Sequence, residues 1–220
     1  MATEKPAVVF IGGGWHTPAT YGKLVKALES AGHEVHCPHH PSLKQKLVES
    51  GRRVVAVMHS YGGQVGTNAL TGLGFDSRSK DGKSGGGSMA GKVKDMGHEA
   101  LMPIAFDFAD DMTVLCRDPR GQLVGADADE AELESYVSTL VRWNGQSMYD
   151  AISKCAWREI PVTYVYTSSD MTVPLDYQKS MVSLLEEQGR EVKTFELATG
   201  HCPNLTATDE LVNIIGKVVG

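Results

Sequence analysis

Between Arg53 and Leu70 an apolar run stops at a serine and restarts as small residues with helical spacing, and this change of pattern constrains the chain more than any other stretch. Val54-Val55-Ala56-Val57 has no polar alternation, so a strand formed there needs both faces covered, as in a parallel sheet. The run ends at Met58-His59-Ser60-Tyr61-Gly62-Gly63, and the chain restarts as small residues with helical spacing as far as Leu70. A glycine two places after Ser60 permits a turn sharp enough to lift the hydroxyl clear of the sheet while the next helix packs close below. Strand, turn and helix are therefore expected, with the serine presented at the turn. Taken alone, the stretch also fits a buried strand–turn–helix in which the serine is incidental.

A chain of 220 residues with 41% hydrophobic residues suits one sizeable domain around a packed core. Its formal charge is −6, from 21 basic and 27 acidic residues. Lys and Arg never run longer than a pair, so neither a nucleic-acid nor an anionic-membrane surface is expected. A small neutral or anionic molecule is the easier partner. The start of the chain shows no basic-then-apolar signal pattern and no apolar run reaches spanning length, which makes a cytoplasmic location the expectation. Cys37, Cys116, Cys155 and Cys202 have no CxxC spacing and read as free thiols, Cys202 being notable for its place beside His201.

Ala7 to Ile11 is a second buried-strand run, opening into Gly12-Gly13-Gly14-Trp15-His16-Thr17-Pro18 before a helix over 21–31. Neither the dinucleotide fingerprint nor the phosphate-loop pattern with its lysine is present, so no nucleotide cofactor is expected. His33, His36, His39 and His40 lie around a short strand over 34–37, where the spacing scatters the rings over both faces, and no metal site is expected. From 103 to 157 the alternation of strand and helix gives way to Phe106 and Phe108, a hairpin turned at 118–121, and a helix over 129–141 with Leu133, Val137, Leu140 and Val141 on one face. This segment reads as a cap inserted between core segments 1–102 and 158–220. Trp143, Met148, Tyr149, Ile152 and Trp157 are assigned to the cap's own core, and an apolar cap implies a substrate with a hydrophobic body. A strand over 162–166, a helix over 175–188, a strand over 191–197 and a last helix from Thr206 or Thr208 complete the pattern.

Three loops at one sheet edge then carry Ser60, Asp170 and His201, in that chain order. A serine hydroxyl is a poor nucleophile at neutral pH and needs an imidazole to take its proton; the imidazole needs a carboxylate to fix its tautomer. Asp107, Asp110, Asp111 and Asp176 are the competing acids, and none has the strand-end position of Asp170.

Met58-His59-Ser60-Tyr61-Gly62 resembles the nucleophile elbow of α/β-hydrolases, G-x-S-x-G, with Met58 in place of the first glycine. The stretch from Tyr166 to Gln178 resembles the acid loop of that family, and Thr199-Gly200-His201 its histidine turn. The groups most resembled are the compact plant esterases and hydroxynitrile lyases and the hydrolases of fungal secondary-metabolite pathways. The resemblance implies an α/β-hydrolase fold, with a mostly parallel sheet, helices on both faces and an inserted helical cap. It implies acyl transfer through a Ser60-His201-Asp170 triad on an ester, thioester or lactone, with water or a substrate hydroxyl as acceptor. Backbone N–H groups of Gly14 and Tyr61 would form the oxyanion hole, and Trp15, His16, Met58, Met171 and Val173 would touch a small acyl substrate. No cofactor or metal is implied, and a homodimer is compatible with it. A lyase without an acyl-enzyme, or a non-catalytic small-molecule binding protein, are the other readings of the same residues. Set against the family, the chain is also short of most of a helix near 42–46 and of a strand near 84–88; two segments are expected to be missing there, a real deletion or a flexible linker being the other reading.

Overall fold

All five residues of strand β1 (Ala7–Ile11) are buried in the computed structural model, which describes residues 5–39, 51–74, 87–125 and 128–220. Its unbroken apolar run matches its position, because β1 is the middle strand of a three-stranded parallel sheet. Helix α1 (Gly22–Ser30) follows and buries Leu24 and Leu28; strand β2 (Val35–His36) then pairs with one side of β1 and strand β3 (Val54–Met58) with the other. Register pairs Ile11 with Met58, so the two strands deliver their following loops side by side. Helix α2 (Gly62–Ala69) begins two residues after Ser60. Strand, serine turn and helix are thus as the sequence predicts. The two expected joins fall at 42–46, outside the described residues, and at 84–88, of which only Gly87 and Ser88 are described.

The next segment opens with helix α3 (Met89–Asp95), capped by the Ser88 hydroxyl, and continues into a small antiparallel sheet. In it, β4 (Phe106–Phe108) and β5 (Thr113–Cys116) form a hairpin that turns at 109–112, where Met112 has φ of 63°. The sequence placed this hairpin at 118–121. Those residues instead enter a wide, π-type helical turn, Arg120–Val124, closed by the Gly125 N–H on the Arg120 carbonyl and started where the Asp118 carboxylate accepts the Gly121 N–H. Helix α4 (Glu130–Ser138) is started by Asp129, whose side chain accepts the N–H groups of Ala131 and Glu132. Leu133 and Tyr136 form its buried face, whereas Val141 lies past its end and is exposed. Strand β6 (Trp143–Asn144) closes the sheet against β5.

Strand β7 (Val162–Thr167), helix α5 (Leu175–Glu187), strand β8 (Val192–Leu197) and helix α6 (Thr208–Val219) complete the chain, with β7 and β8 parallel. Helix α6 buries Leu211, Ile214, Ile215 and Val219 in one core with Val8, Phe10, Leu24, Leu28 and Leu197. A second core joins the cap to the loops at the sheet edge: Val114, Leu123, Leu133, Tyr136 and Met148 pack with Trp15, Cys202 and Leu205. The cap therefore rests directly on the loops expected to carry chemistry. All four cysteines are free. No helix among the described residues is long and apolar enough to cross a membrane.

Candidate active site

Ser60 has φ of 54°, in the left-handed region that non-glycine residues seldom occupy. Such a backbone costs on the order of 1–2 kcal/mol and persists only where surrounding contacts impose it. Those contacts are specific: the Gly62 N–H donates to the His59 carbonyl at 2.8 Å, and the Gly63 N–H to the Ser60 carbonyl at 2.8 Å. A Cβ on Gly62 would lie 2.2 Å from the Ile11 carbonyl oxygen and 2.6 Å from that of Gly12, so only glycine fits beneath the turn. Gly13 presses from the other side, where a Cβ would be 2.8 Å from the Ser60 Cβ. The glycine loop after β1 is thus packed against the serine itself.

Asp170 is the only buried acidic side chain among the described residues, and Asp110, Asp111 and Asp176 are exposed. Asp107 pairs with Arg117 and Arg142 on the cap. Four donors meet the Asp170 carboxylate. Oδ1 accepts the N–H groups of Thr172 and Val173, each at 2.8 Å; Oδ2 accepts the Thr167 hydroxyl at 2.9 Å and faces His201 Nδ1 at 2.8 Å. A carboxylate only accepts, so the His201 proton sits on Nδ1 and Nε2 carries the free lone pair. That Nε2 atom is buried and has no partner. Gln178, 2% exposed on α5, holds the acid loop in shape: its amide binds the Thr167 N–H and carbonyl and donates to the Val173 carbonyl.

The sequence did not single out a relay beside this pair. The Gly13 N–H donates to the Tyr21 hydroxyl at 2.9 Å, that hydroxyl meets His59 Nδ1 at 2.8 Å, and His59 Nε2 meets the His201 carbonyl at 2.8 Å. Burial pushes the His59 pKa well below its ordinary value, and the neighbouring His201 and His16 lower it further. Tyr21 opens α1 as an apparently apolar residue, and its hydroxyl gives no sequence signal. His16, expected to touch substrate, instead spends both ring nitrogens internally, on the Gly14 carbonyl and the Tyr136 hydroxyl. Tyr136 also meets Cys202 Sγ at 2.7 Å. Burial raises the Cys202 thiol far above the ordinary range, so it stays protonated despite its place beside His201.

The remaining expected residues are dispersed. The Trp15 ring is 4% exposed and its N–H donates to the Val114 carbonyl, anchoring the glycine loop to the cap. Val173 is partly buried and holds Asp170 through its backbone N–H, while Met171 is 70% exposed beside it. Met58, at the end of β3, is 41% exposed. Its sulfur lies against Gly66 of α2, where a Cβ would be 2.2 Å away. Gly14 and Tyr61 are brought together by a cap residue, Trp143, whose ring centre is 4.6 Å from that of Tyr61. Against Gly14 it leaves no room for a side chain: a Cβ would be 2.5 Å from Cε2.

The acid and histidine loops are also held by the cap. The Thr172 hydroxyl donates to the Gln122 carbonyl at 2.8 Å, and Gly200 fits so closely that a Cβ would be 2.5 Å from the Val124 carbonyl oxygen.

Known proteins share this arrangement of chain and fold. A probable hydrolase, R7, from Phoma sp. is 26% identical over 191 residues, covering 80% of this chain and 74% of that protein. The alpha/beta hydrolase nvfD of Aspergillus novofumigatus is 27% identical and covers 98% of this chain and 97% of its own. That alignment runs over 259 positions, 39 more than this chain has residues, so the relative carries at least that many residues without counterpart here. Among solved structures, polyneuridine aldehyde esterase superposes with a TM-score of 0.73 at 15% identity, over 99% of this chain and all of the other. The sequence profile of the alpha/beta hydrolase family matches residues 8–214, and the chain belongs to that family.

Proposed function

We propose that the protein is a serine hydrolase that transfers an acyl group from an ester, thioester or lactone to water, with Ser60 as nucleophile, His201 as base and Asp170 as the group that orients it. The observation that carries this reading is the buried His201–Asp170 hydrogen bond, which leaves Nε2 as an unpaired acceptor, together with a serine held at φ of 54° next in sequence to His59, whose ring centre lies 4.9 Å from that of His201. In the first half-reaction Ser60 Oγ bonds to the acyl carbon as its proton passes to His201 Nε2; the tetrahedral adduct collapses and the leaving alkoxide or thiolate takes that proton. Water repeats the sequence and frees the acid. Gly14 and Tyr61 N–H groups supply the oxyanion contacts, and the Gly13–Ser60 packing supports that placement. A hydroxyl within the substrate in place of water would give lactonisation by the same residues.

The substrate assigned is a small acyl compound with an apolar body, in keeping with an apolar cap seated on the site loops. Labelling by a fluorophosphonate, with the adduct mapped to Ser60, together with hydrolysis of p-nitrophenyl esters, tests the reading. Ser60→Ala is expected to abolish labelling and lower turnover by about 10³-fold or more. Full activity in that variant would overturn the covalent mechanism and favour acid–base chemistry of the lyase kind.

A further inference from the structure

We propose that the indole N–H of Trp143 is a third donor to the substrate, bonding the scissile carbonyl oxygen beside the N–H of Gly14; this rests on the acyl-transfer reading above. Trp143 belongs to the cap, paired through β6 with Val114, yet its ring leaves the cap sheet and reaches the two residues assigned to the oxyanion hole. Its ring centre lies 4.6 Å from Tyr61, and Nε1 is 2.9 Å from where a Cβ of Gly14 would stand. An amide nitrogen is about 2.5 Å from its own Cβ position, which keeps Nε1 within about 5.4 Å of the Gly14 nitrogen. Two donors sharing one oxygen at about 2.9 Å each lie no more than about 5.8 Å apart, so the separation permits a common acceptor.

The second line of argument is the state of that N–H. Nε1 of Trp143 is buried with no hydrogen-bond partner. The indole of the neighbouring Trp15, whose ring centre is 6.0 Å away, is by contrast paired, its Nε1 donating to the Val114 carbonyl. His201 Nε2, the acceptor that the mechanism requires to be free, is unpaired in the same way. An indole N–H can only donate, and a buried donor without an acceptor is costly, so the group that completes it must bring an acceptor, of which a carbonyl oxygen is the commonest. Every ester, thioester or lactone brings one at its acyl carbon.

Trp143→Phe keeps an aromatic ring against Tyr61 and removes the donor. With p-nitrophenyl acetate the expected result is a fall in kcat of about 10- to 100-fold with KM moved less than about threefold, because the contact strengthens as the oxygen gains charge. Should Phe disturb the cap, replacing Trp143 by β-(3-benzothienyl)alanine keeps the ring shape and deletes only the N–H, and the same loss of kcat is expected. The parent protein's labelling by fluorophosphonate separates the two proposals. A labelled parent whose benzothienyl variant has unchanged kcat overturns the third donor alone. A faster variant overturns it too and makes the indole an obstruction. A parent that is never labelled at Ser60 overturns the nucleophile and this donor together.

Discussion

His59 holds the backbone of His201: Nε2 of the first lies 2.8 Å from the carbonyl oxygen of the second. A carbonyl only accepts, so His59 carries its proton on Nε2 and its Nδ1 accepts from Tyr21, whose oxygen in turn accepts the Gly13 N–H. One directed series therefore runs from the glycine loop through Tyr21, the residue before α1, and the serine turn to the histidine turn. Tyr21→Phe would leave a buried N–H and a buried imidazole nitrogen without partners, at a cost of about 1–3 kcal/mol each before relaxation. We expect a lower urea midpoint and a fall in kcat for p-nitrophenyl esters larger than the change in KM. Parent-like stability and turnover in Tyr21→Phe would show that the series positions nothing.

Acid should destabilise the protein before its carboxylates titrate. Burial lowers the His16 pKa to about 4, the Gly14 carbonyl opposes that, and His201 adds to it; His59 is likewise lowered well below 6.5, first by burial. Below about pH 6.5 the unfolded chain binds protons that the folded chain refuses, so stability rises with pH across this window and is lost as pH falls from about 6.5 toward about 4. Each histidine contributes a slope of at most about 1.4 kcal/mol per pH unit. Urea midpoints at pH 7.5 and pH 5 measure it. His16→Gln should flatten the dependence, and an equal slope in parent and variant would remove His16 from the account.

Much of this was legible because it rests on local pattern. Unbroken apolar runs located β1 and β3, turn glycines located the serine, and strand-end position singled out Asp170 from four other aspartates. What stayed hidden depends on contacts between segments remote in the chain. Tyr21 and His59 are 38 residues apart, and His59 and His201 142 apart, so no spacing announces their bonds. The cap hairpin was misplaced because Asp118-Pro119-Arg120-Gly121 has turn chemistry, and that chemistry is used to start a helical turn. Trp143 was read as cap core on composition; its packing against Gly14 and Tyr61 depends on how the cap docks.

Asp170→Asn tests the tautomer argument most sharply. One carboxylate oxygen already serves two backbone N–H groups, so the amide oxygen of Asn is drawn to that side and its NH₂ faces Thr167 and His201. Donor then meets donor at His201 Nδ1. The imidazole relieves the conflict by moving its proton to Nε2, the atom proposed to accept from Ser60. The expected loss in kcat is about 10³- to 10⁴-fold, with the fold retained, as for the equivalent change in serine proteases. A loss below tenfold would mean that Asp170 does not set the tautomer.

Met58 and Gly66 should behave as a coupled pair. Ile11 and Met58 end neighbouring strands in register and both reach Gly66 on α2, where an added Cβ would meet the Met58 sulfur at 2.2 Å and Ile11 Cδ1 at 2.8 Å. Gly66→Ala gains about 1 kcal/mol of helix propensity but forces both side chains aside, at about 1–3 kcal/mol. Met58→Gly removes the larger obstacle and loses packing of a side chain that is 41% exposed. In the Met58→Gly background the Ala substitution should therefore become neutral or stabilising, with a coupling of about 1 kcal/mol or more by urea denaturation. The same Met58→Gly protein should show the parent's preference across p-nitrophenyl esters of increasing chain length, because the sulfur lies on the α2 side of the sheet. Additive stability effects, or a shifted chain-length profile, would return Met58 to the substrate side of the turn.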